Sequence, residues 1–154
     1  MSPDLFEHAD ALMKQERWAD VVAMVSPQDL AVRSDPRLAW TLGWAHFKLE
    51  DYATAAMWLE RAAELRPAHP MYLGTFGAAL VELERWEEAE LVLLRSLALR
   101  DSGLARLDLA IVYMRTHRWD EAEAVHREGL RLRPDCEERR ADFEAFLEDA
   151  GRKE

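Results

Sequence analysis

The chain is poor in cysteine and in positive charge, and it has no long apolar run. A single cysteine, Cys136, excludes a disulfide framework within the chain and fits a reducing compartment. With 20 Lys and Arg against 30 Asp and Glu, the net charge is −10. That balance argues against nucleic-acid binding, which relies on Lys and Arg to displace counterions from phosphates, and it disfavours a membrane surface equally. No stretch approaches the ~18 uncharged residues that a membrane-spanning helix needs. The first residues, Met1-Ser2-Pro3-Asp4, lack a basic stretch, and His8, Asp10, Lys14 and Glu16 interrupt any apolar segment that could serve as a targeting signal. The cytoplasm is therefore the expected location. Arg outnumbers Lys by 17 to 3, a composition that hints at a GC-rich bacterial coding sequence.

What is present is ordinary for a folded domain. An apolar share of 49% and a charged share of 32% are those of a soluble globular protein, and 154 residues suffice for one domain with its own core.

The main signal is an internal repeat. Arg17-Trp18, Arg85-Trp86 and Arg118-Trp119 recur, and Asp51-Tyr52 fills the gap, so the aromatic residues are spaced by 34, 34 and 33. Three residues after each comes a small or β-branched residue: Val21, Ala55, Ala89 and Ala122. Upstream of them, Leu38, Leu42, Ala45 and Leu49 form an apolar stripe at helical spacing, as do Leu73, Phe76, Leu80 and Leu83. Asp35-Pro36 and Ser2-Pro3 read as N-caps followed by proline at the first helical position, where its missing N–H costs nothing. Helices are expected near 3–15, 18–25, 36–49, 52–65, 70–83, 86–99, 103–116 and 119–132. None could bury its stripe alone; stacking does it.

This pattern resembles the tetratricopeptide-repeat family, whose period is 34 residues. The resemblance covers residues 2–136 and implies an all-α, right-handed solenoid of antiparallel helix pairs. Four repeats are expected at 2–35, 36–69, 70–102 and 103–136, followed by a capping helix over 137–150 with Phe143, Phe146 and Leu147 as its stripe. Leu42-Gly43, Phe76-Gly77 and Leu109-Ala110 stand at the family's positions 7 and 8; Pro67 and Pro134 stand at position 32. The first repeat is degenerate. His8 replaces a large apolar residue, and Ser26-Pro27 should end its second helix, leaving Gln28 to Ser34 as a short irregular helix or loop.

Catalysis needs convergent groups, and the sequence offers none. The histidines (His8, His46, His69, His117, His126) occupy different repeat positions, without a metal-binding pair at i,i+4 beside a carboxylate. His46 and His126 fall at packing positions. Cys136 stands among Asp135, Glu137 and Glu138, an anionic setting in which a thiolate nucleophile is not expected. Gly74-Thr75-Phe76-Gly77 is helical in pattern and is no phosphate loop. No cofactor, no metal and no enzyme activity are expected.

The resemblance also implies where a partner binds. In the family, positions 2, 5, 9, 12 and 13 of each first helix line the concave face. Position 5 holds Phe6, Trp40, Gly74 and Leu107; position 9 holds Asp10, Trp44, Ala78 and Ile111. Position 12 holds Met13, Phe47, Val81 and Met114, and position 13 holds Lys14, Lys48, Glu82 and Arg115. An apolar inner surface with charges at its edge follows. The family motif W-x-x-L-G is shortened here to Trp40-Thr41-Leu42-Gly43, and one residue is about 100° of helix rotation. That turns the Trp40 indole from the packing seam, where Ala39 now stands, towards Trp44 and Phe47, opposite Gly74 and Ala78. Trp18, Trp86 and Trp119 are expected to be structural; Trp58 reads equally as packing or as convex surface.

The expected function is a non-catalytic adaptor holding an apolar or amphipathic segment of another protein or peptide. The groove could instead be covered by residues 28–34 or by a second copy, so a homo-oligomer stays open. Another reading is a chaperone masking a hydrophobic segment of a secreted protein, since size and acidity are similar to those of type III secretion translocator chaperones. A third is an accessory subunit of a larger complex. The Lys and Asn side chains of the family's carboxylate clamp are replaced by Phe6, Asp10, Trp44, Gly74 and Ala78, which argues against a free C-terminal carboxylate as ligand.

Overall fold

The computed structural model describes residues 3–25, 28–149 and 151, and among them the chain is helical without a strand. Its elements are α1 (Pro3–Lys14), α2 (Trp18–Met24), α3 (Leu30–Ser34), α4 (Pro36–Lys48), α5 (Tyr52–Leu65), α6 (Pro70–Glu82), α7 (Trp86–Leu99), α8 (Gly103–Arg115), α9 (Trp119–Leu132) and α10 (Glu137–Asp149). Each recurring aromatic residue opens a second helix, as its spacing predicts. The helices α4–α5, α6–α7 and α8–α9 form closely packed pairs, each stacked on the next, giving a right-handed α-solenoid with α10 packed on α8 at its end.

The first pair departs from this regularity. Ser2 and the expected break at Ser26-Pro27 lie outside the described residues; α2 closes at Met24, with the Val25 N–H bonded to the Val21 carbonyl at 2.9 Å. The stretch before Asp35 is the short helix α3, capped by Asp29, whose carboxylate accepts the Ala31 N–H at 2.9 Å. Asp35 then caps α4, accepting the Arg37 N–H at 2.9 Å. The Arg37 guanidinium hydrogen-bonded beside it holds the Asp35 carboxyl below the usual carboxylate range. His8 is exposed, so its replacement of an apolar residue carries no burial cost.

The turn inside each pair has one shape. Glu16, Glu50, Glu84 and His117 take positive φ of 56°, 62°, 58° and 60°. The N–H of the following residue (Arg17, Asp51, Arg85, Arg118) reaches back to the carbonyl of Leu12, His46, Leu80 or Tyr113 at 2.8–3.0 Å. This is the Schellman arrangement, in which a left-handed residue lets the last carbonyls of the first helix be satisfied. It is built here without glycine, at a strain of about 1 kcal/mol per turn.

Small residues set the spacing within pairs. A Cβ on Gly43 would lie 2.7 Å from the Leu59 Cγ and 3.0 Å from the Leu59 backbone nitrogen; one on Gly77 would lie 2.6 Å from the Leu93 Cδ2. Both leucines are fully buried and cannot swing away. Gly43→Ala is therefore expected to destabilise the chain by about 1–2 kcal/mol through overpacking, although alanine is the better helix former. Urea denaturation checks this; an unchanged midpoint would mean that α4 and α5 can separate at little cost.

Three buried clusters fill the solenoid. The first joins α1 to α4 through Ala9, Val21, Val32 and Leu42; the second holds Ala39, Ala62, Tyr72 and Leu73. The largest runs from Leu59 through Leu80, Leu93 and Leu109 to Phe143 of α10. Trp58 packs against the first and second clusters at once and is thus a packing residue, which settles its two readings.

Candidate partner-binding groove

The first helices of successive pairs touch one another, α1 on α4, α4 on α6 and α6 on α8, so they lie on the tightly curved inner side. Along α4 the spacing i, i+4, i+7 produces a ladder of rings. Trp40 stacks on Trp44 with centroids 6.0 Å apart at 8°, and Trp44 stacks on Phe47 at 5.2 Å and 9°. Tyr52 closes the ladder edge-on to Phe47 at 5.2 Å. Burial first, then the nearby Glu82 and Glu50 charges, push the Tyr52 phenol pKa up, so it stays neutral.

The two tryptophans do different things. Trp40 is turned onto α6, where its Nε1–H donates to the Thr75 hydroxyl at 3.2 Å and its ring lies 6.4 Å from that of Tyr72. Thr75 in turn donates to the Met71 carbonyl at 2.6 Å. Trp40 thus braces α4 against α6. Trp44 and Phe47 instead face a cleft of about 460 Å³ whose other wall is made by Gly74 and Ala78 of α6 and by Leu104 and Leu107 of α8. Met71 and Leu104 border it with 49% of their surface in water, a real apolar exposure. The far end is polar, formed by Ser96, Arg100, Asp101, Ser102 and Asp108.

The remaining expected groove residues scatter. Phe6 carries the Arg37 guanidinium 4.7 Å above its ring, and Asp10 pairs with Lys14 at 2.6 Å. Met13 packs half-buried on the first cluster and Ile111 on the largest. Lys48 lies over Trp18 and Trp44, 5.8 and 5.4 Å from their centroids. Arg115 bonds Glu84 at 3.3 Å and lies over Trp86. Val81 and Met114, expected at the inner surface, are only 6% exposed. Contact of α6 with α8, and of α8 with α10, turns position 12 into core at that end of the solenoid. Leu107, also expected at the surface, is 2% exposed and borders the cleft from below.

His46 and His126 behave as packing residues. His46 Nδ1 lies 3.2 Å from an Asp51 carboxylate oxygen, and buried His126 stacks on Phe143 at 3.9 Å. Among the described residues no group of His, Cys, Asp and Glu could hold a metal ion, and no helix is long and apolar enough to cross a membrane.

Residues 105–140 match the family model for the tetratricopeptide repeat, and residues 28–96 match that of anaphase-promoting complex, cyclosome, subunit 3, also a tetratricopeptide-repeat family. The chain is a tetratricopeptide-repeat protein. Among curated protein sequences none matches it. Solved structures of MamA share its fold. MamA AMB-1 is 21% identical at a TM-score of 0.81, over 96% of this chain and 88% of that one. MamA from Desulfovibrio magneticus RS-1, residues 41 to the end, is 17% identical at a TM-score of 0.81, over 97% and 85%. MamA MSR-1 is 22% identical at 0.77, over 97% and 84%. At these identities the likeness is one of fold.

Tetratricopeptide repeats are protein-interaction modules, as a class without catalysis. In this one the column of position 2, which holds Met71 and Leu104, was the available signal for the exposed mouth of the cleft. Arg100 and Ser102 had no such signal. They lie between α7 and α8, outside every first-helix column.

Proposed function

We propose that this tetratricopeptide-repeat protein is an adaptor that holds an apolar or amphipathic segment of another protein between α4 and the α6–α8 wall. The observation that carries this reading is the placement of two large rings, Trp44 and Phe47, across a cleft from Gly74 and Ala78. Rings facing small residues leave room for an inserted side chain, and aromatic anchors in such pockets dominate binding energies. The family's carboxylate clamp has no counterpart among the lining residues, so an internal segment suits the site better than a chain terminus.

Filling the cleft tests this. Ala78→Leu should put three added carbons where the anchor sits, reducing capture of partner by the full-length chain at least tenfold while the melting temperature stays within about 3 °C, the effect of roughly 1 kcal/mol. Quantitative pull-down alongside thermal melting measures both. Undiminished capture by a well-folded Ala78→Leu variant would remove the cleft from consideration.

A further inference from the structure

We infer that the segment held in this cleft carries carboxylates flanking its apolar anchor; the inference rests on the groove reading above and adds the chemistry of the ligand. It follows from which charges around the cleft are already neutralised. Asp101 is held by Arg106 through two hydrogen bonds of 2.7 and 3.3 Å, which keep its carboxyl below the usual range. Asp108 is 9% exposed and already engaged. Arg100, at the same end, has no carboxylate partner among the described residues.

At the other side, among the described residues, the ammonium of Lys48 has no carboxylate partner and lies over the faces of Trp18 and Trp44, and Trp44 is itself a wall of the cleft. Other cations of the inner face are spent: Lys14 on Asp10, Arg37 on Asp35 and Arg115 on Glu84. Glu82 is the one acid at position 13, and its charge is felt at Tyr52, at the end of the ladder beyond Phe47. In a chain with ten more acids than bases, Arg100 in the lining of this cleft and Lys48 against its Trp44 wall thus have no ion-pair partner among the described residues.

Overall charge would select the opposite ligand. A net charge of −10 attracts basic segments at long range. At physiological ionic strength, however, charges beyond about 8 Å are largely screened, so contacts inside the cleft decide which bound segment is held. The N-terminus of α8, opening beside Ser102, adds partial positive charge at the Arg100 end.

The probes are three fluorescein-labelled synthetic peptides with blocked ends, each with a Leu-Phe anchor between two pairs of flanking residues: all Asp, all Asn or all Lys. Anisotropy titrations with the full chain in 150 mM salt, roughly the ionic strength at which this screening holds, should give at least tenfold tighter binding of the Asp peptide than of the Asn peptide, and the weakest binding for Lys. The double variant Lys48→Glu with Arg100→Glu should invert the Asp–Lys order, and Ala78→Leu should abolish binding of all three. Equal binding of Asp and Asn peptides that Ala78→Leu still abolishes would overturn the charge inference and leave the groove reading standing. No binding by any peptide, or binding indifferent to Ala78→Leu, would overturn both. A dimer in sedimentation that Ala78→Leu dissociates would assign the cleft to a second copy, and that too overturns the inference.

Discussion

Trp40→Ala should cost the fold about 3 kcal/mol, a fall of roughly 6–12 °C in melting temperature for a chain of this size, whereas Trp44→Ala should cost mainly binding. The two indoles stack on one another, but they hold different ground. Trp40 packs against two buried clusters, is bonded to Thr75 through its Nε1–H, and has Tyr72 on its other side. Its removal opens a cavity between α4 and α6 and leaves the Thr75 hydroxyl with its Met71 bond only. Trp44 lines the cleft, so its loss removes two stacking contacts worth roughly 1 kcal/mol each but no strut between helices. Urea denaturation of both variants, with peptide or partner capture measured on each, separates the roles. Near-native stability of Trp40→Ala would show that this indole belongs to the groove after all.

Why the sequence could place one ring and misplace others is a matter of locality. Helix starts were legible because an aromatic residue three positions before a small one recurs at a fixed period, and the pairs formed where that period put them. The shortened Trp40-Thr41-Leu42-Gly43 motif pointed the indole towards the groove, yet it stacks on Trp44 while packing on two buried clusters, because where it comes to rest depends on Thr75 and Tyr72 in the next repeat. Reading columns treats every first helix as equally open. The superhelix is not uniform: α6 touches α8 and α10 closes on α8, so Val81 and Met114 sink while Phe47 stays at the cleft. The left-handed turn residues were illegible for another reason, since glutamate, which fills three of the four positions (Glu16, Glu50 and Glu84), does not favour positive φ; only His117 is of a type enriched there. Their spacing of 34, 34 and 33 follows the repeat.

The capping helix carries the second large effect. Phe143 is 6% exposed, with its ring flat on His126 at 3.9 Å and 9°, and Phe146 lies 5.0 Å from Trp119. These contacts cover the end of the α8–α9 pair, the surface on which a further repeat would otherwise stack. Phe143→Ala should therefore lower stability by about 3–5 kcal/mol, the range for a buried phenylalanine. The loss should also be uneven along the chain. In a solenoid each repeat contacts only its neighbours, so uncovering the last pair loosens it directly and the earlier pairs only through their shared interfaces. Hydrogen exchange should show protection falling over α8, α9 and α10 while α4 and α5 keep theirs, and capture should weaken with it because α8 supplies one wall of the cleft. A uniform loss of protection from α4 to α10 would show that the largest cluster, which runs unbroken from Leu59 to Phe143, makes these pairs fold as one unit.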